Sequence, residues 1–348
     1  MKSFLSLFKH KPSMLPRKRR RGRWTLFLQR FSSKKLNIFA IIFMFLIGNI
    51  AILADLLASQ VPLAYSIRGH LRILPGRLSD PVDGIVSNES ALEAIVHRES
   101  DWVLLPLIPY DRNQTKTDGV ILRLSPPSWD HPLGTDDKGR DVAARMIHAT
   151  RSALMVGLGS VALYLLFAIF LGAVAGYFGG LADRLALRLI ETMTSFPTFF
   201  LILAIQGIIG ATGFWQLILV IGLTRWTDIA RLTRAEVLRV VNEEYILAAR
   251  ALGLSNLRIL TKHVLPGAIG PAVVAATFGI ADAILIESTL SFLGFGIPAN
   301  IPSWGQLLTD AFYNDGAYWL AFFPGALLFL TLVSINLSGE GLREAMDV

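Results

Sequence analysis

The sequence predicts an all-α integral membrane protein with six transmembrane helices and both termini in the cytoplasm. Three observations predict it. Of the 348 residues, 53% are hydrophobic and 17% are charged, whereas soluble domains carry about 25% charged residues. The apolar residues gather into runs that match a hydrocarbon core ~30 Å thick, which takes about 20 residues of helix to cross. The basic residues follow the positive-inside pattern along the chain. Cysteine is absent, which excludes disulfides and thiolate metal sites.

Residues 1–35 form a basic cytoplasmic tail with twelve Lys or Arg and no acid, densest at Arg17-Lys18-Arg19-Arg20-Arg21-Gly22-Arg23. The net charge of +7 comes mostly from this tail, next to a membrane run, so nucleic acid is not the expected partner. Phe4-Leu5-Ser6-Leu7-Phe8, between Lys2 and Lys9, suits an interfacial helix on anionic lipid. The alternative is a solvated tail that only sets topology. The first span covers residues 36–58 and is longer than a cleaved signal's apolar region, so it reads as a retained anchor.

Residues 59–151 form an extended external loop, where Trp102-Val103-Leu104-Leu105-Pro106-Leu107-Ile108-Pro109 points to a small folded cap. The five further spans fall near 153–175, 190–211, 214–232, 271–294 and 318–338, inside a core at 152–343. In the second, Gly172, Gly176 and Gly180 are four apart and form a flat stripe for another helix. In the third, Pro197 is expected to kink the helix. Arg225 and Asp228, three apart near the inner end of the fourth, are expected to pair.

The loop at 233–268 is net basic and cytoplasmic, and residues 344–348 form a cytoplasmic C-terminus. No Lys or Arg lies between Lys262 and Arg343, as befits an external 295–317. Within the basic loop, residues 242–251 favour a helix, which Gly253 can end in the left-handed conformation. Ser255 is expected to cap a second helix at 256–264, and Pro266 to stop it. Arg250, Arg258 and Lys262 face lipid or an acidic partner. The reading is a rigid knob; an ordinary interfacial helix pair is the alternative.

Two acids stand in the fifth span, Asp282 and Glu287. Burying such a charge in lipid costs at least about 2.5 kcal/mol, so both should face protein or water. Glu287 has two readings: a pathway-lining group, or a carboxyl bonded structurally to a neighbouring helix. No Gly-Lys-Ser/Thr phosphate loop and no His-Glu-x-x-His zinc motif occurs. His70 and His148 read as surface or packing residues.

The loop resembles the cytoplasmic motif of permease subunits of ATP-binding-cassette importers: Glu-Ala-Ala, three residues, Gly, nine residues, Ile, one residue, Leu-Pro. Ala248, Ala249, Gly253, Leu265 and Pro266 match it, while Leu247 and His263 depart from it. Leu133-Gly134-Thr135-Asp136-Asp137-Lys138-Gly139-Arg140-Asp141, Ala175-Gly176-Tyr177-Phe178-Gly179-Gly180, Leu290-Ser291-Phe292-Leu293-Gly294-Phe295-Gly296 and Gly339-Glu340-Gly341-Leu342-Arg343 resemble the C-type permease subunit of dipeptide and oligopeptide importers. Residues 60–130 lie outside the resemblance.

That resemblance implies the type I ABC importer permease fold and a multi-pass protein of the bacterial inner membrane. It implies a heterodimer with a second permease subunit, two ATPase subunits below and an extracytoplasmic substrate-binding protein above. ATP and Mg would bind the ATPase partners, and this chain would hold no cofactor, no metal and no catalytic residue. Ala248, Ala249, Arg250, Gly253, Leu254, Ser255, Leu257, Arg258, Leu265 and Pro266 would form the ATPase-coupling site. The implied cargo is di- or oligopeptides, with nickel chelates, glutathione or another small solute as alternatives. A membrane-embedded hydrolase built on Ser288 and His263 is the reading from another class.

Overall fold

The computed structural model describes residues 34–67, 70–73, 100–115, 121–210 and 213–346. The basic tail and its interfacial-helix reading lie outside the described residues, as does His70's side chain. The chain is mostly helical. Helix α1 is Lys35–Ile52 and α2 is Ala54–Leu57, followed by strands β1 (Ala64–Ile67), β2 (His70–Ile73) and β3 (Ser100–Leu104). Then come α3 (Val142–Phe178), α4 (Gly180–Thr194), α5 (Thr198–Ile209), α6 (Phe214–Thr224) and α7 (Thr227–Val241). Helices α8 (Glu244–Ala251) and α9 (Asn256–Ile259), a π turn at Leu260–Val264 and α10 (Leu265–Ala268) make the knob. Helices α11 (Gly270–Phe292), α12 (Trp304–Tyr313) and α13 (Tyr318–Met346) complete the fold.

Among the described residues, α1, α3, α11 and α13 are each long and apolar enough to cross a membrane. The two expected spans between them are broken. The third is a pair, α4 and α5, bent by 77°. Pro197 causes the break: it has no N–H to continue a helical ladder, and it drives Phe196 out of helical geometry. The fourth ends early, since α6 is an 11-residue apolar helix. Its last carbonyls are taken by side chains. Thr224 Oγ1 donates to Val220 and Ile221 carbonyls, and Trp226 Nε1 donates to the Leu223 carbonyl. A new helix, α7, then starts at Thr227 and runs to Val241, so Arg231, Arg234 and Arg239 stand on a helix rather than in a loop.

Contacts at the helix ends fix the relative directions. Lys34, just before α1, pairs with Glu344 at the end of α13. Met346 Cε packs against Gly270, where the chain leaves the knob. Both described chain ends and the knob therefore share one end of the bundle. At the other end, Val142 and Met146 of α3 pack against Leu307 of α12 and Trp319 and Leu320 of α13. The strands sit there too, as a three-stranded antiparallel sheet in the order β2-β1-β3. It is a small β addition to an otherwise helical chain. Arg151 of α3 anchors this end: its guanidinium donates to the Ala51 and Ile52 carbonyls and to Asp55.

The largest apolar cluster joins α3 (Val156, Tyr164, Ala168), α6 (Leu217, Ile221), α7 (Ile229, Ala230) and α11 (Ala272, Ala283, Leu290). The glycine stripe explains the closeness of α3 and α7. A carbon added at Gly172 would lie 2.5 Å from the Ala230 carbonyl oxygen and 2.8 Å from Thr233 Cβ. At Gly176 it would lie 2.8 Å from the Arg234 carbonyl oxygen. Gly180 does not extend the stripe; it has φ +55° and opens α4 with nothing within 4 Å of an added carbon.

Gly172→Val should destabilise the fold by about 1–3 kcal/mol through overpacking against a backbone that cannot yield. Gly48→Ala, where an added carbon meets nothing within 4 Å, serves as the control. Thermal unfolding in detergent checks this: a lowered Tm for Gly172→Val and an unchanged one for Gly48→Ala.

Candidate functional site

The knob is built by two short helices meeting at a glycine turn. Gly253 has φ +75°. The Gly253 N–H donates to the Arg250 carbonyl at 2.9 Å and the Leu254 N–H to the Ala249 carbonyl at 3.3 Å. This paired 5→2 and 6→1 pattern closes a helix on a left-handed residue. The glycine reading therefore holds. Ser255 does occupy the N-cap position of α9, with extended backbone, but its side chain makes no capping bond. Pro266 does not stop the chain either. The π turn lets the Leu265 N–H reach back to the Leu260 carbonyl, and Pro266 then falls in the first turn of α10, where no N–H is required.

The underside of the knob is apolar and closed. Ile246, Ala249, Ile259, Leu260 and Val264 pack with Val237 and Val240 of α7 and Ala173 of α3. Tyr177, near the end of α3, holds both arms. Its hydroxyl donates to Asn256 at 3.2 Å, and the Arg250 guanidinium lies 5.5 Å from the ring centroid. Of the residues expected to form the site, Ala249 is buried and Leu254 and Leu265 are partly so. Ala248, Arg250, Gly253, Ser255, Leu257, Arg258 and Pro266 are exposed. Leu257 exposes 69% of its surface, and Leu252, which sequence reasoning missed, exposes 82%. A leucine placed next to a solvent-facing glycine turn was the available signal.

At the opposite end, the loop at 133–141 is a folded latch. Asp136 Oδ1 accepts the N–H groups of Lys138 and Arg140, and its Oδ2 accepts Arg140 Nε at 2.7 Å. Asp141 caps α3 through the Ala144 N–H and takes His131 Nδ1 at 2.8 Å. Trp319 Nε1 donates to the Thr135 carbonyl, tying the latch to α13. His148 is a packing residue, as read: its Nε2 donates to the Ala58 carbonyl at 3.0 Å.

Carboxylate oxygens of Asp136, Asp137 and Asp310 lie within 4.8 Å of one another, among the described residues a group able to share a cation. Two guanidiniums already offset part of its charge, since Arg140 bonds Asp136 and Arg145 Nε stands 3.5 Å from Asp136. Burial, and then the Asp137 charge, push the Asp310 carboxyl up to about 6 from 3.8.

The intramembrane acids separate in role. Glu287 is fully buried, and the hydroxyls of Ser291 (2.7 Å), Ser303 (2.8 Å) and Ser288 (3.3 Å) donate to it. It joins α11 to the start of α12, which is the structural reading. Asp282 lies on the surface and accepts Arg225 Nη2 at 2.7 Å. The expected Arg225–Asp228 pair does not form. The two residues flank the break at Trp226, so they do not share the helical turn that a three-residue spacing requires. Ser288 is bonded to Glu287, and His263 sits in the π turn of the knob, beyond the start of α11, which itself lies about 27 Å from Ser288 at 1.5 Å per residue. The hydrolase pair is not brought together.

Residues 168–347 match the family of binding-protein-dependent transport system inner membrane components. The chain belongs to this family. It is a multi-pass membrane component of a transport system, and the match spans α4 to α13 whole, knob included. The dipeptide transport system permease protein of Alkalihalophilus pseudofirmus is 38% identical over 226 residues, 65% of this chain and 74% of the relative. The oligopeptide transport system permease protein of Bacillus subtilis is 33% identical over 239 residues, 68% of this chain and 78% of the relative. The di/tripeptide transport system permease protein of Pseudomonas aeruginosa is 37% identical over 246 residues, 69% and 80% of the two chains.

Because Asp310 holds its proton more tightly folded than unfolded, stability should fall as pH rises between 3.8 and about 6 and level off above. The Tm difference between wild type and Asp310→Asn, measured across pH 4–7, isolates this group: it should move against the wild type as pH rises from 4 to about 6 and level off above.

Proposed function

We propose that this chain is one of two different permease chains in an ATP-driven importer of di- and oligopeptides. It would lie in the bacterial inner membrane in a type I importer arrangement of six spans. The bent α4–α5 pair and the short α6 would serve as the third and fourth. The shared end that holds both described chain ends and the knob is the cytoplasmic end. The basic residues of the knob region and the basic tail support this orientation under the positive-inside rule. A substrate-binding protein delivers cargo at the external end, where the latch and the small sheet stand. The peptide assignment rests on the relatives, all peptide permeases by name.

The observation that carries the coupling reading is the knob's crest. Leu247, Leu252 and Leu257 are exposed apolar residues on a turn whose underside is fully packed. Exposed apolar patches rimmed by polar groups mark protein contacts. Here the rim is Arg250, Ser255 and Arg258. Ala248, Arg250, Gly253, Ser255, Leu257 and Arg258 meet an ATPase subunit directly. Ala249, Leu254 and Leu265 act from beneath by seating the knob on α3 and α7, and Pro266 begins the path back to the bundle. Two ATPase subunits bind ATP and Mg, and their closure moves the knob as a body and the spans with it.

Cysteine crosslinking tests this directly, because the chain has no native cysteine. Leu252→Cys and Leu257→Cys should trap an ATPase subunit, whereas Ile246→Cys, fully buried, should not. Failure of both crest positions to capture an ATPase in the assembled complex would sink the coupling reading.

Gly253→Val tests the turn itself. An added carbon meets no atom within 4 Å, so the cost is backbone strain of about 1–2 kcal/mol. The variant should insert and assemble, yet hydrolyse ATP with little peptide uptake. Normal uptake would show that the left-handed turn is dispensable.

A further inference from the structure

The Arg225–Asp282 pair is the most conspicuous charge on the apolar part of the bundle. Asp282 stands near the middle of the 23-residue α11, and its partner sits at the end of α6. The Arg225 side chain is 30% exposed and that of Asp282 is 56% exposed. Helix α11 packs on α3, α7, α12 and α13. From Asp282 onward the exposed residues follow a three-four spacing along the other side: Asp282, Leu285 and Phe292 are exposed and Thr289 is partly so. Behind the pair, the Tyr164 hydroxyl lies directly on Gly279, a contact that any side chain at 279 would block.

A half-exposed carboxylate in mid-span does not sit against lipid. Charged groups at that depth face protein or water and mark solute routes. The pairing with Arg225 lowers the cost but leaves more than half of the Asp282 side chain open. A structural brace would be enclosed, as Glu287 is by its three hydroxyls.

We propose that the α11 stripe carrying Asp282 lines the transport route. The Arg225–Asp282 pair is then a cargo-contacting site for a small solute with both an ammonium and a carboxylate. Asp282 receives the ammonium, and the fork of Arg225 N–H groups receives the carboxylate. Leu285 and Phe292 supply an apolar wall beside the pair, so cargo side chains pass without a specific partner. This assignment rests on the peptide-importer reading for its cargo class, and on the stripe's geometry for its place.

Two measurements test it in the assembled transporter. Leu285→Cys and Thr289→Cys are introduced one at a time, with Phe45→Cys on the outward side of α1, 73% exposed, as reference. A charged, water-borne thiol reagent should modify positions 285 and 289 faster than 45, at a rate that changes when a non-hydrolysable ATP analogue is bound. Modification as slow as at Phe45→Cys would place the stripe against lipid or a dry subunit interface, and would overturn the proposal. The second measurement is dialanine uptake by Asp282→Asn. Loss of a charge-assisted contact should lower uptake about tenfold or more, with assembly and ATPase activity retained. Uptake at the wild-type rate would overturn the cargo contact. If wild-type transporter takes up neither dialanine nor longer alanine peptides, the peptide class is wrong for both readings, and the cysteine labelling alone then decides whether the stripe faces the route.

Discussion

The close approach of α3 to α7 at Gly172 and Gly176 is the contact on which the rest of the fold depends. At these two points α7's carbonyls of Ala230 and Arg234 and its Thr233 and Val237 side chains lie so close to α3 that an added carbon would meet them. The near end of that contact runs straight into the knob's apolar underside, where Ala173 of α3 and Val237 and Val240 of α7 meet Ile246, Ile259 and Val264. Arg234 adds a polar clamp from the same helix, with Nη2 2.7 Å from Asp183 Oδ2 of α4. A force applied at the crest therefore reaches α3 and α7 through packed atoms rather than through a loop. Packed interfaces shift between discrete arrangements instead of deforming smoothly.

Helix α3 links this contact to the far end of the bundle, because it continues unbroken from the knob to the latch. There Asp141 caps its first turn, Trp319 holds the latch to α13, and Arg151 fastens the end of α1. The Arg225–Asp282 pair lies between the two ends, at the seam of α6 and α11. One side of the bundle is thus braced along its length, while the α11 stripe carrying Asp282 is left uncovered between the two ends.

Much of this was legible in the residues, and the failures have physical causes. The spans of α1, α11 and α13 follow from long apolar runs without interior breakers until Pro324. Gly253 was readable because few other residues accept its backbone angle. The bend in the third was readable from Pro197, and the structure sets its size at 77°; the break in the fourth at Arg225-Trp226 was not, since hydropathy averages over it. Side-chain capture of carbonyls by Thr224 and Trp226 leaves no trace in a hydropathy profile. The pairing of Arg225 with Asp282 rather than Asp228 is a tertiary fact, set by which helix lies alongside. Pro266 was misread because a stop and a first-turn position look alike in sequence; the π turn before it decides between them. The motif marked the knob as a whole without separating Ala249, which seats it, from Leu252 and Leu257, which face outward.

The central claim is that the knob and α7 move as one rigid body. Spin labels at Leu252→Cys on the crest and Leu238→Cys on the exposed side of α7 allow a pulsed electron–electron distance measurement in the full transporter, with and without a trapped ATP analogue. The account predicts one narrow distance distribution, unchanged between the two states, while distances from either label to the ATPase or to the second permease chain shift. A change of several ångströms within the Leu252–Leu238 pair would mean that the knob hinges on the bundle, and would contradict the account.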